Sequence, residues 1–285
     1  MQLTGSIYLL LAVVSSAAIA IVLRLFQKES GNRYTILLGN YLTCVVLGFF
    51  MIPTKAMIGK PQTATAICGV IGGILFVGGL VTMQRSIEKN GAILTSAFAK
   101  LGLLVPLIMS IVFFGEHPKA LQMVGLGVVL IAMWVISGKK EPGQRFSPIW
   151  LGIVLLASGF ADGMAKVFDH VGDASQNELY IWYVFCTATV LTLVLLLMEK
   201  KKVGTFGEWK ELAAGIAVGI PNYFCSMFLL RSLATIPAFI TYPVFSTGTI
   251  IVVTLVSALA FRERPTKYQL VGLGMILVAL LLLNM

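Results

Sequence analysis

Charge is the first thing this sequence lacks. Only 12% of its 285 residues are Asp, Glu, Lys or Arg, about half of what a soluble domain carries, while 58% are hydrophobic. Mean hydropathy is +0.93. Such a composition excludes a soluble fold, a soluble nucleotide-binding enzyme, a collagen-like chain and a disordered one. Histidine and cysteine are scarce as well. The two histidines, His117 and His170, form no spaced set with the four cysteines, Cys44, Cys68, Cys186 and Cys225, which all lie within apolar runs. Neither a disulfide framework nor a metal site is indicated, and no cofactor is implied. Acid is scarcer than base, 12 residues against 21, for a net charge of +9. In a soluble protein that excess would point to nucleic acid. Here the cations fall between apolar runs, as positive charge retained on the cytoplasmic side does, so nucleic acid is not an expected partner.

Long apolar runs are what the sequence has in abundance. Crossing about 30 Å of hydrocarbon takes roughly 20 helical residues, and ten such segments are predicted. They fall near Gly5 to Leu25, Tyr34 to Ile52, Ala64 to Met83, Gly91 to Phe114, Leu121 to Ser137, Pro148 to Val167, Tyr180 to Met198, Leu212 to Leu230, Pro237 to Phe261 and Tyr268 to Leu283. The expected fold class is an all-α polytopic membrane protein with short connections and the lipid bilayer as its surroundings. Arg24, Lys28 and Arg33 follow the first apolar run instead of preceding it, which favours a retained first helix over a signal peptide. About 15 Lys and Arg fall in the loops after helices 1, 3, 5, 7 and 9, against about 4 in the other loops, so both termini are predicted to face outward.

The chain also repeats itself. FGEHPKALQMVGLGVVLIA, from Phe114, is echoed by FRERPTKYQLVGLGMILVA, from Phe261, with about ten identities in nineteen positions where chance gives about two. Among the identical pairs are Glu116/Glu263, Pro118/Pro265, Gln122/Gln269, Gly125/Gly272 and Gly127/Gly274. Arg85-Ser86 matches Arg231-Ser232, and Gly69 and Gly73 match Gly215 and Gly219. A slightly different spacing aligns Ser16, Phe26, Tyr41 and Cys44 with Ser158, Phe168, Tyr183 and Cys186. A five-helix repeat places its second copy in the membrane upside down, and the opposite loop charge bias of the two halves agrees. The expected domains are 1–140 and 141–285, related by inverted topology around one central site.

Ten spans, a five-plus-five duplication and a Gly-Glu-x-Pro-type loop leading into Gln-x-x-Gly-x-Gly resemble the drug/metabolite transporter superfamily, in particular its EamA-like group. The second copy departs at Arg262, where the first has Gly115. The resemblance covers essentially the whole chain. It implies transport of small metabolites or drugs across the cell inner (cytoplasmic) membrane through a cavity lined by helices 1, 3, 4, 6, 8 and 9. It implies no single substrate, since the superfamily spans amino-acid exporters, sugar and nucleotide-type carriers and cation effluxers. Separately, no cofactor is expected, and a monomer or homodimer is.

Charges inside hydrocarbon cost about 2.5 to 3.5 kcal/mol each and mark candidate sites. Lys100 lies roughly 14 Å into helix 4, too deep to snorkel. On helix 6, Ser158, Asp162 and Lys166 share one face, and Asp162 is placed to pair with Lys166 one turn on or with Lys100. Lys166 is near enough to the span end to snorkel. A cavity with Lys100 and Asp162 suits a zwitterionic amino acid or a small organic anion. Uncharged candidates are Ser96 on helix 4, Asn222 beside the helix-breaking Pro221 on helix 8, and Tyr242 and Thr247 around Pro243 on helix 9. Asn40 reads as interhelical glue. The glycine pairs read as close helix packing, Trp134, Trp150 and Trp209 as interfacial anchors, and Glu116 and Glu263 as groups that fix helix ends.

The leading expectation is a small-metabolite transporter that exports amino acids or small organic anions by alternating access, and not an enzyme. One alternative is proton-coupled efflux of lipophilic cations, as in small multidrug resistance relatives. Those use a glutamate in helix 1, where this chain reads AVVSSAAIAIVL. Sugar or nucleotide-type carriage is another. A membrane enzyme would need a cluster of nucleophile, base or metal ligands, and His117 and His170 stand alone in predicted loops.

Overall fold

The computed structural model describes residues 2–26, 32–90, 95, 98–99, 101–137, 147–203, 208–260 and 267–283. Among them secondary structure is helical throughout: α1 (Gln2–Phe26), α2 (Arg33–Met51), a 3-10 helix (Lys55–Gly59), α3 (Thr63–Asn90), α4 (Leu104–Val112), α5 (Ala120–Ser137), α6 (Pro148–Val171), a second 3-10 helix (Ala174–Gln176), α7 (Asn177–Val203), α8 (Trp209–Leu233), α9 (Ala238–Ala260) and α10 (Lys267–Leu283). Seven of these, α1, α2, α3, α6, α7, α8 and α9, are long and apolar enough to cross a membrane; α5 and α10 contain shorter apolar stretches. Large apolar side chains stand outward along them, with Leu259 81% and Phe50 73% exposed. Water would not tolerate that on such a scale.

The chain forms two compact units, one of Met1–Val77 with Val167–Ala234, the other of Gly78–Lys166 with Thr235–Met285. In the first, α8 packs on α1 and α2, and α7 packs on α2. Asn32 starts α2 by accepting the N–H groups of Tyr34 and Thr35 at 3.0 and 3.4 Å. The Glu211 carboxylate ties that start to α8, accepting from Asn32 N at 2.8 Å and from Glu208 N at 3.0 Å. Gln176 does the same between α7 and α3: its Oε1 accepts from Gln62 N at 3.1 Å and Thr65 Oγ1 at 2.7 Å.

The glycine pairs sit where these helices cross. A Cβ on Gly219 would lie 2.5 Å from Thr43 Cβ and 2.6 Å from the Asn40 carbonyl; one on Gly73 would lie 2.5 Å from Thr187 Cβ and 2.6 Å from the Val184 carbonyl. The α8–α2 crossing is thus repeated by the α3–α7 crossing, contact for contact. It sets Thr43 equivalent to Thr187, a spacing of about 144 residues, two more than the spacing that aligns Tyr41 with Tyr183. Tyr41 then corresponds to Phe185, and these two rings meet each other with centroids 6.1 Å apart.

In the second unit α5 packs on α10, and α9 packs on α4, α5 and α10. Gln122 accounts for the glutamine of the repeated motif. Its Oε1 accepts from Lys119 N at 2.9 Å, capping α5, while its Nε2 donates to the Leu283 carbonyl at the end of α10 at 3.3 Å. Gly125 faces α10, with a Cβ there meeting Leu282 Cβ at 3.1 Å, whereas Gly127 and Gly274 face open space. The α3 helix runs seven residues past the predicted Met83. This extension carries Arg85 and Lys89 over the Trp150 ring, 6.0 and 5.2 Å from its centroid.

Candidate substrate site

The predicted site residues do not all fall in one place that can be described. Lys100 and Ser96 lie outside the described residues. Asn222 belongs to the first compact unit, while Asp162, Lys166, Tyr242 and Thr247 belong to the second.

Within the second unit the site is built on α6. Gly159 and Gly163 let α6 come close to the α4 region: a Cβ on Gly159 would lie 2.5 Å from Val105 Cγ2, and one on Gly163 3.1 Å from Met109 Sδ. This is a third small-xxx-small pair, unrecognised from the sequence although its spacing is the signal that identified the other two. It leaves Asp162, between the two glycines, exposed in the body of a helix long and apolar enough to span a membrane. Among the described residues the Asp162 carboxylate makes no ion pair. Its backbone carbonyl accepts from Tyr242 Oη at 2.8 Å, so the phenol of α9 holds the turn of α6 that presents the acid. Tyr242 is itself buried.

Lys166 departs from expectation. It is buried rather than snorkelling, and its Nζ meets Glu116 Oε1 at 3.0 Å. The reason is that an acceptor lies nearer than water. Glu116 also accepts the first free N–H groups of α9, from Ala238 at 3.1 Å and Phe239 at 3.3 Å, so it fixes a helix end as its place in the sequence suggests. One carboxylate therefore joins the α4–α5 connection, the end of α6 and the start of α9.

Thr247 is buried, and its hydroxyl donates to the Pro243 carbonyl of its own helix at 2.6 Å. Asn222 donates from Nδ2 to Asn40 Oδ1 at 3.0 Å, and the Cys44 thiol donates to the Gly219 carbonyl at 3.3 Å. Asn40 thus serves as the predicted glue, with Asn222 as its partner. His170 belongs to the last turn of α6 and not to a connection. No three His, Cys, Asp or Glu side chains converge as a metal-ligand set among the described residues.

A family model described as the EamA-like transporter family matches the chain twice, over residues 3–138 and 148–285. A protein of Haemophilus influenzae (strain ATCC 51907 / DSM 11121 / KW20 / Rd), described as uncharacterized, is 23% identical over 282 residues, covering 93% of each chain. A solved crystal structure superposes with a TM-score of 0.75 at 13% identity, covering 98% of this chain and 95% of that one, and so shows the fold.

Proposed function

Because the chain belongs to the EamA-like transporter family, whose members are transporters rather than enzymes, we propose that this multi-pass membrane protein exports amino acids or small organic anions by alternating access. In this reading ten helices cross the inner membrane as two five-helix repeats, 1–140 and 141–285, of inverted topology, with both termini outside. The carrying observation is Asp162, a carboxylate on a membrane-spanning helix that packing exposes and no described cation neutralises. A charge costing about 2.5 to 3.5 kcal/mol in hydrocarbon is retained where a wet cavity or a ligand meets it. Lys100 supplies the opposite charge. Tyr242 positions the Asp162 turn, Thr247 adds a hydroxyl on the same helix as Tyr242, Ser96 is assigned to the site by sequence alone, and Lys166 holds the end of α6.

That no described cation pairs with Asp162 also favours a second reading, proton-coupled efflux of a cation, in which the carboxylate alternately takes a proton and the substrate. Proteoliposomes separate the two. Uptake of amino acids, sugar phosphates and quaternary ammonium compounds is measured with and without a pH gradient, for the natural protein and for Lys100→Ala and Asp162→Asn. The leading reading expects transport of amino acids or organic anions, lost or altered in selectivity in both variants while the protein stays folded. Unchanged kinetics in both variants would refute these site assignments, and gradient-driven movement of quaternary ammonium alone would establish the second reading.

A further inference from the structure

One end of the first compact unit holds a charge pair that the Asp162 helix does not use. Arg231, in the last turn of α8, donates from Nη2 to Glu178 Oε1, in the first turn of α7, at 2.5 Å. The Tyr8 ring of α1 lies against the guanidinium, 5.6 Å from centroid to Cζ. The Arg231 side chain remains 34% exposed against 12% for Glu178, and a guanidinium has five N–H donors. The pair is therefore closed toward the helices and open on the arginine side.

Two more donors lie further in. Trp182 sits one turn beyond Glu178 on α7, and its Nε1 is buried without a hydrogen-bond partner among the described residues; Tyr223 Oη, on α8, is in the same condition. Gly48 on α2 makes room for both rings, since a Cβ there would lie 3.1 Å from Trp182 Cδ1 and 3.3 Å from Tyr223 Cε2. The Tyr223 hydroxyl is within electrostatic reach of both Glu178 and Arg231. Donors left unpaired in so apolar a setting are costly, and a ligand acceptor would remove the cost. Beside them runs a line of rings: Tyr8 stacks on Phe228 at 6.1 Å, Phe228 on Phe224 at 5.9 Å, and Phe224 meets Tyr223 at 5.6 Å.

We propose that Arg231, Glu178, Tyr223 and Trp182 form a second ligand site, which takes a zwitterionic α-amino acid with a large apolar side chain. Guanidinium, phenol and indole offer donors to the ligand carboxylate, Glu178 accepts from its ammonium, and the rings receive its side chain. Entry of a zwitterion replaces one ion pair by two and leaves neither protein charge unpaired, which a simple anion or cation would not achieve. The inference rests on the transporter reading only for its purpose, since no residue is shared with the α6 site.

The test is equilibrium binding of radiolabelled leucine to the full chain in lipid nanodiscs, alongside the proteoliposome panel. Leucine is expected to bind, with N-acetyl-leucine and leucine methyl ester competing at least about tenfold more weakly, because each lacks one charge. Arg231→Gln and Glu178→Gln should each weaken leucine by about tenfold or more. Tyr223→Phe, which keeps the ring and its packing, should weaken it by about fivefold or more, and provides the readout if a charge variant fails to fold. Absence of leucine binding, equal binding of the N-acetyl compound, or unchanged affinity in Tyr223→Phe and Arg231→Gln would each overturn the site. If panel metabolites are still carried in that event, the transporter reading stands; if none is carried, that reading fails on its own evidence.

Discussion

Substituting Glu116→Gln and Lys166→Met, singly and together, isolates the charge of their contact from the rest of what Glu116 does. The carboxylate accepts from Lys166 Nζ at 3.0 Å and from two α9 N–H groups at 3.1 and 3.3 Å. Glutamine keeps one carbonyl oxygen and loses the charge and one acceptor. Loss of a helix-start acceptor costs about 1 kcal/mol. Breaking an ion pair whose side chains are only 10% and 13% exposed adds about 3 kcal/mol, the low end of the buried range because Lys166 has further interactions. Glu116→Gln should therefore cost about 4 kcal/mol. Lys166→Met retains the packed stem and removes the charge, for about 3 kcal/mol. Once one charge is gone the other has less to lose, so the double variant should fall short of the summed single costs by about 2 kcal/mol. Unfolding by sodium dodecyl sulfate in mixed micelles, followed by far-ultraviolet circular dichroism, measures all four corners. Additivity within about 0.5 kcal/mol would show that the two groups do not act on one another and would refute the junction.

The repeated crossing makes a paired forecast: Gly73→Ala and Gly219→Ala should destabilise by similar amounts, about 1 to 3 kcal/mol each, because both added methyls meet backbone and Thr Cβ atoms at the same distances. Gly127→Ala, facing open space, should be neutral or stabilising by up to about 1 kcal/mol, and a clear difference between the first two in the same unfolding assay would break the equivalence. In the α6–α7 connection, the Ser175 N–H donated to Asp173 at 2.8 Å holds that carboxyl below the ordinary Asp range. Since the folded value is depressed, its contribution is complete above the unfolded value and fades as pH falls through the folded one. Carbon-13 carboxyl titration should thus show Asp173 still ionised where Asp173 of the denatured chain is already protonating, and coincident titration would refute the cap.

Several of these features were legible in the amino-acid order, and the exceptions have physical causes. Hydropathy marks helices because backbone groups in hydrocarbon must be satisfied within the segment. Four-residue glycine spacing marks α3 and α8 as closely packed for an equally direct reason, and the structure supplies the partners, α7 and α2. The pairing register of α2 with α7 was hidden. Matching by residue type joins Tyr41 to Tyr183, yet the face that packs places Gly39 and Tyr183 in equivalent positions under Gly215 and Gly69. A crossing constrains which backbone approaches which, and leaves the side-chain type free wherever the partner yields. For Lys166 the sequence offers only water at the span end or Asp162 one turn back, and no local pattern reports the acid about 50 residues earlier in the chain that it meets.

What remains for a ligand follows from what the helices already use. Asn222 has given its amide to Asn40, Thr247 its hydroxyl to Pro243, Tyr242 its hydroxyl to the backbone at Asp162, and Lys166 meets Glu116. Each bond spares a polar group the cost of standing alone in an apolar bundle, and each lowers what that group can offer a substrate. Polar residue type at mid-span is therefore a poor guide to a binding role, whereas unspent hydrogen-bonding capacity is a better one. By that measure Asp162 gains weight over its neighbours, and Tyr223 and Trp182 enter beside the half-exposed Arg231. Tyr41 Oη is also unpartnered among the described residues, but its ring meets those of Phe76 and Phe185 at 6.3 and 6.1 Å, with the thiol of Cys44 one turn away. An orphan donor in that setting has no complementary charge to share a ligand with. The Tyr223 donor does, and this difference separates a tolerated packing defect from a group placed to meet a carboxylate.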